Sequence, residues 1–239
     1  MNNSLERARL SLNPLKKKVS VYEDGKLHKI TIKREGVGII KPEQGVFAQY
    51  LFRASDKWQK YSVLINAPLD ENLNPIFNSN EKLTLRVDSG CETGQLFGDR
   101  TCDCKEQLHS TMKEVQDRGE GMIVHIPRQD GRGQGLAFKL ATLLLQHESG
   151  VDTVVAAESL THGDIDVRSY RGVIAILKFF NISPSTKISL ATNNPKKMKI
   201  FGENGYQLDQ IIPVVIPPTE LTKHHLRAKQ EKLGHQNLV

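Results

Sequence analysis

The chain has 239 residues, of which 38% are hydrophobic and 25% charged, with a formal net charge of +6. That length buries a core without staples and fits one large domain, or one domain with an N-terminal extension. The composition excludes a disordered, collagen-like or disulfide-rich small protein, and no run approaches the ~18 apolar residues of a transmembrane helix.

The opening MNNSLERARLSLNPLKKK lacks the apolar stretch of a secretory signal. Residues 1–41 hold ten Lys and Arg against four Asp and Glu, so the whole excess of positive charge lies there. A basic arm of this kind reads as a solvated face rather than a nucleic-acid footprint. Residues 1 to about 20 are expected to be a mobile lead-in. VYEDGKLHKITIK places Asp-Gly between two alternating runs, which predicts a β-hairpin. Residues 46–67 are mixed and end in the strand-like SVLIN. Residues 68–81, rich in Pro, Asn and Asp, read as loop.

LTLRVD is a short alternating strand that delivers Arg86, Asp88 and then Cys91. EQLHSTMKEVQDRG has helical spacing and stops at Gly119. GMIVHIP is a continuous apolar run, as in a buried strand. RQDGRGQG follows, then LAFKLATLLLQHESG as a helix whose Leu143–Leu145 run reads as core. VDTVVAAESL reads as a strand, VRSYRGVIAILKFFN as a helix, TKISLAT as a strand and NPKKMKIFGENG as a helix. YQLDQIIPVVIPP is strand-like, and the last twenty residues form a polar helix or tail. The alternation predicts an α/β fold: a mixed sheet with flanking helices over 83–216, a mainly β region over 1–82, and a C-terminal helix or tail over 217–239.

In such sheets ligands bind beyond the carboxyl ends of the strands, so three loops matter. RQDGRGQG offers Arg128 and Arg132 with three glycines at a strand-to-helix junction, suited to phosphate oxygens. TNNPKK offers Thr192 and Lys197, with Asn193 or Asn194 as helix cap and Pro195 in the first turn. GDIDVR offers Asp164, Asp166 and Arg168 for acid–base work, with His162 beside them. Each loop read alone is equally well a solvated surface turn. His125, inside an apolar run, reads as a satisfied core histidine.

The three cysteines, Cys91, Cys102 and Cys104, fall within fourteen residues. Their setting, SGCETGQLFGDRTCDCKEQ, is polar and Gly-rich, which is poor core and good loop. Cys102 and Cys104 can point at one ion from a tight turn, and Cys91 can return from across the loop. Zinc is the natural partner of a thiolate cluster, and three protein ligands leave an open position for water. His109, five residues on, is the one candidate to close it.

The segments RVDSGCETGQLFGDRTCDCKEQL, GEGMIVHIPRQDGRGQGL, VDTVVAAESL, GDIDVRSY and ATNNPKKMKIFGENG, in this order, resemble GTP cyclohydrolase II of riboflavin biosynthesis. The resemblance covers residues 83 to about 235, with cysteines spaced C-x10-C-x-C. It implies a cytoplasmic homodimeric zinc hydrolase with water as the fourth zinc ligand and magnesium on the triphosphate. Such an enzyme opens the imidazole ring of GTP and releases pyrophosphate and formate. By position, Cys91, Cys102 and Cys104 would hold zinc. Arg86, Val87, Asp88, Ser89 and Gly90 would line the nucleotide, with Gln107 at the base. Asp130, Gly131 and Arg132 would meet the phosphates, and Thr153, Thr192 and Lys197 would complete the contacts. Asp166 matches the proton acceptor, and Arg168 the arginine that attacks the α-phosphate.

Three departures stand out. Leu143 takes the place of a tyrosine on the helix after the Gly-rich loop, which predicts arrest at the formylamino product. Asp88-Ser89-Gly90 stands where the family has His-Ser-Glu. Asp130-Gly131-Arg132 replaces Glu-Gly-Arg. The first eighty residues match poorly. These departures leave room for another nucleotide or ribosylated base as substrate. A non-catalytic nucleotide-binding protein is disfavoured by the retained Asp166, Arg168 and cysteines.

Overall fold

Asp24 and Gly25 both adopt positive φ, 52° and 73°. This is the two-residue turn whose twist suits a hairpin. It joins β1 (Leu15–Glu23) to β2 (Lys26–Ile40), and the pair runs in register from Leu15↔Arg34 to Glu23↔Lys26. The hairpin expected from VYEDGKLHKITIK is therefore present and longer than predicted. The computed structural model describes residues 2–56, 59–77 and 82–234.

The remaining strands are β3 (Phe47–Ala54), β4 (Lys60–Asn66), β5 (Lys82–Ser89), β6 (Gly121–Ile126), β7 (Lys187–Ala191) and β8 (Gln207–Ile212). They form one eight-stranded sheet in the order β1-β2-β3-β4-β6-β5-β7-β8. The first four strands are an antiparallel meander, and β4 pairs antiparallel with β6. From β6 onward the neighbours are parallel. The mixed sheet with flanking helices is thus as expected, and it runs continuously across residue 82.

The chain leaves β5 toward β6 on one side and later returns to β7 on the other. The carboxyl end of β5 is therefore the switch point, where an open parallel sheet forms a crevice. Helix α2 (Cys104–Asp117) follows β5, and Met112 and Val115 bury against Phe47, Leu64 and Ile123. Helix α5 (Arg171–Phe179) belongs to the main core, where Val173 to Leu177 are fully buried with Ile30, Phe52 and Val63. Tyr50, Phe52, Phe179 and Phe180 close that core, with ring centroids 5.0–6.2 Å apart. Gly172 lets α5 approach, since a Cβ there would meet the Tyr61 hydroxyl. Helices α3 (Leu136–Ser149) and α6 (Pro195–Glu203) fall where predicted. Asn194 is the residue that caps α6, accepting from Lys196 N at 2.9 Å.

Several expectations are corrected. Residues 1–20 are not a lead-in: they hold α1 (Asn2–Leu12) and β1. Ser11 exchanges hydrogen bonds with both the N–H and the carbonyl of Val37, which ties α1 to β2. Residues 46–67 give two strands rather than one. VDTVVAAESL is not a strand but helix α4 (Thr153–Leu160). The Asp152 carboxylate caps it, accepting from Val154 N at 2.8 Å and Val155 N at 3.0 Å. That local bond outweighs the weak β preference of the valine-bearing run, because β propensity counts only where a strand has a partner. The Leu143–Leu145 run is not core, since Leu144 is 58% exposed. The loop expected over 68–81 is irregular through residue 77, and residues 78–81 lie outside the described residues. So does His235, at the far end of the resemblance. No helix among the described residues is long and apolar enough to cross a membrane.

Candidate active site

The switch point carries the cysteines. Cys91 leaves the end of β5, a single widened helical turn over Glu92–Leu96 follows, and Cys102 and Cys104 precede α2. The three Sγ atoms lie within 4.8 Å of one another, and Cys91 and Cys102 are 3.9 Å apart. Gly94 makes room: a Cβ there would stand 2.7 Å from Cys102 Sγ. Hydrogen bonds from Cys102 and Cys104, with the Lys139 ammonium at 2.8 Å, hold the Cys91 thiol far below the usual thiol range despite burial. Cys102 and Cys104 are pushed up: once one sulfur of the cluster is ionised, its neighbours ionise with difficulty. A bound cation relieves that repulsion. Three converging soft donors suit zinc, so the residues present fit this metal. His109 is outside the group that could hold an ion.

A buried polar network supports the cluster from beneath. Arg86 donates to Gln107 Oε1 (3.0 Å), Asp88 Oδ1 (3.4 Å) and the Ala191 carbonyl (3.3 Å). Asp88 also accepts from Gln95 Nε2 (2.9 Å) and pairs with His125 Nδ1 (2.8 Å). Burial works against the Asp88 charge, but the His125 bond and Arg86 outweigh it and hold the carboxyl well below the usual range. His125 is satisfied, as expected, and its partner is a residue of the site. Lys197 is buried and donates to the Val87 carbonyl at 2.7 Å. Burial first, then Arg86 and Arg168, lowers its pKa well below the ordinary lysine value.

The Gly-rich loop closes the opposite wall. Arg132 sits at positive φ (57°) and donates to the Thr153 carbonyl (3.3 Å) and hydroxyl (3.4 Å). Asp130 is buried and accepts from Glu92 N at 2.9 Å, which ties this loop to the cysteine loop. Asp166 and Arg168 form a two-pronged ion pair, Nε–Oδ1 2.9 Å and Nη2–Oδ2 2.7 Å. Burial opposes both charges, but the pairing wins and holds the Asp166 carboxyl low and the Arg168 guanidinium firmly protonated.

Two adjoining cavities open here. The first is lined by Ser89, Gly90, the cysteines, Asp130–Arg132, Thr153 and Arg168. The second is lined by Arg86, Asp88, Ser89, Gln107, Arg132, Arg168, Thr192 and Lys197. Asp166 faces a third cavity behind Arg168. Val87 is the exception: its side chain is in the core, and only its backbone borders the site. Leu143 lines the first cavity.

Sequence reasoning passed over Lys139, Gln95 and Lys229. Lys139 carried a signal, as the single charge in the apolar run LAFKLATLLL. Lys229 carried none, sitting in a uniformly polar segment.

The GTP cyclohydrolase II family model matches residues 37–213. A GTP cyclohydrolase-2 of Picrophilus torridus is 34% identical over 192 residues, covering 80% of this chain and 92% of that protein. A riboflavin biosynthesis protein RibBA of Cytophaga hutchinsonii is 35% identical over 209 residues, 87% of this chain and 48% of its own. A RibBA of Bacillus cereus is 40% identical over 160 residues, 66% of this chain and 38% of its own. The chain thus spans half or less of the RibBA relatives it matches and nearly the full length of the Picrophilus one. With the cysteine cluster at the switch point and cationic loops around it, the chain belongs to the GTP cyclohydrolase II family.

Proposed function

We propose that this chain is a zinc-dependent hydrolase that opens the imidazole ring of GTP and releases pyrophosphate. The observation that carries the reading is the three-thiol cluster opening into the same cavity as Arg132 and Arg168. A zinc ion held by Cys91, Cys102 and Cys104 would supply Lewis acidity and activate water for attack on C8 of the purine. The chain's own residues do the rest. Arg132 stabilises charge on the leaving pyrophosphate, where a magnesium ion on the triphosphate would add to the neutralisation. Asp166 grips two guanidinium N–H groups of Arg168, so it can take the proton that an Arg168 nitrogen gives up as it bonds to the α-phosphorus and the α–β phosphoanhydride bond breaks to release pyrophosphate. Water then cleaves the phosphorus–nitrogen bond and frees Arg168. Arg86, Gln107, Thr192 and Lys197 hold the nucleoside side of the substrate, and Asp130, Gly131 and Thr153 border the phosphates.

Leu143 offers no proton donor, which supports arrest at the formylamino pyrimidine rather than full release of formate. A homodimer is supported by Leu140 and Leu144, one helical turn apart on α3 and 51% and 58% exposed. The free thiols suit a reducing compartment, so we place the protein in the cytoplasm.

The test is incubation with GTP, zinc and magnesium, read by mass spectrometry and a formate assay. A formylamino product with pyrophosphate and no formate is expected. Equimolar formate would overturn the Leu143 reading alone. Intact GTP would overturn the substrate assignment and turn attention to other nucleotides or ribosylated bases.

A further inference from the structure

Helix α7 (Lys223–Leu233) lies against the candidate site rather than trailing from it. Leu226 and Ala228 are buried, so the helix is packed and not a loose tail. Two lysines one turn apart fasten it at both rims of the crevice. Lys232 meets Asp152, the cap of α4, at 2.6 Å, next to Thr153. Lys229 faces Asp103 Oδ1 at 3.7 Å, and Asp103 stands between Cys102 and Cys104. Asp103 is buried. Its other oxygen accepts from Gln107 Nε2 at 2.6 Å, while Oδ1 has no hydrogen-bond partner among the described residues.

Lys229 borders both cavities, at their junction. The other cations there each hold a protein partner within hydrogen-bond distance: Arg86 with Gln107, Arg132 with Thr153, Arg168 with Asp166, Lys139 with Cys91, and Lys197 with the Val87 carbonyl. The Lys229 ammonium has three donors and, among the described residues, one ion pair beyond hydrogen-bond length. It can therefore keep Asp103 as its anchor and still donate to an anionic oxygen arriving in the crevice.

We propose that α7 is part of the nucleotide site and that Lys229 binds the polyphosphate of the substrate, oriented by Asp103. This rests on the reading of the site as one for a nucleoside triphosphate.

The experiment measures binding of inorganic triphosphate and of guanosine to the zinc-loaded protein by calorimetry, with zinc content and Tm recorded for each variant. Lys229→Ala is expected to weaken triphosphate binding about tenfold and to flatten its salt dependence, while guanosine binding, zinc content and Tm hold. Lys229→Arg should restore most of the affinity. In the Asp103→Asn background, where Lys229 loses its orienting partner, Lys229→Ala should cost less than in the wild type. Unchanged triphosphate affinity in Lys229→Ala overturns the proposal, as does a loss that tracks a fall in zinc or Tm, and a loss of equal size in both backgrounds overturns the orienting role of Asp103. A wild-type protein that turns over GTP yet shows these results leaves the proposed function standing and removes Lys229 alone. A wild-type protein that neither binds triphosphate nor turns over GTP overturns both.

Discussion

Lys197 sets binding against stability. Its ammonium is buried, bonded to one carbonyl and flanked by Arg86 and Arg168, with Asp88 as the nearby counter-charge. Its pKa is lowered on folding, so the native state binds fewer protons than the unfolded chain over a window below the usual ~10. Stability therefore rises as pH climbs toward that value and is lost as pH falls through the folded one. Lys197→Met should remove this slope and stabilise the nucleotide-free protein at pH 7 by about 1 kcal/mol, while weakening GTP turnover at least tenfold. Urea melts at several pH values, beside steady-state kinetics, check both. Lys197 was legible as a cation after a capped helix start. Its burial was not, because burial depends on β5 and β7 lying side by side.

At the scale of elements, the N-terminal hairpin reaches the catalytic segment. Glu23, at the end of β1, accepts from Tyr170 N (2.7 Å), Arg171 N (3.2 Å) and Ser169 Oγ (2.6 Å). This carboxylate caps α5 from another element, where Tyr170 offers no side-chain cap. Arg171 returns to Glu23 and also engages Asp56. Arg168 lies two residues before the capped turn. Glu23→Ala should cost about 1–2 kcal/mol, the range for losing a cap, and lower kcat more than it raises KM, because Arg168 loses its fixed approach. Thermal melts and kinetics on the folded variant test this. The same tip is held to α6 by Asn204, which bonds the Tyr22 N–H (2.9 Å) and carbonyl (2.8 Å). The family model matches from residue 37, well before the residue 83 expected from the sequence, and the hairpin tip that lies outside the match thus supports the part inside it.

Across the whole molecule, the antiparallel and parallel halves of the sheet share one core, and α5 packs on its antiparallel side. Its apolar residues are buried against β1, β2 and β4, and Gly172 permits the contact with Tyr61. Gly172→Ala should destabilise the protein by about 1–3 kcal/mol through overpacking. Partial recovery by Tyr61→Leu would show that the clash is local, and denaturant melts of the single and double variants measure it.

Sequence alone determined the features whose cause is local. Asp24-Gly25 turns a hairpin because those two residues tolerate positive φ. Asn194 and Pro195 start a helix because one caps and the other is preset for the first turn. Three cysteines in a Gly-rich loop converge because the loop is short and Gly94 leaves room. Tertiary structure decided what depends on distant partners. Thr153–Leu160 is a helix because no strand pairs with it and Asp152 caps it, although its composition is that of a strand. Helix α1 exists against β2, Glu23 caps a helix 147 residues away, and Lys139 and Lys229 join the site because α3 and α7 fold over it. A side chain's partner across the sheet is set by packing and topology, neither of which a local pattern encodes.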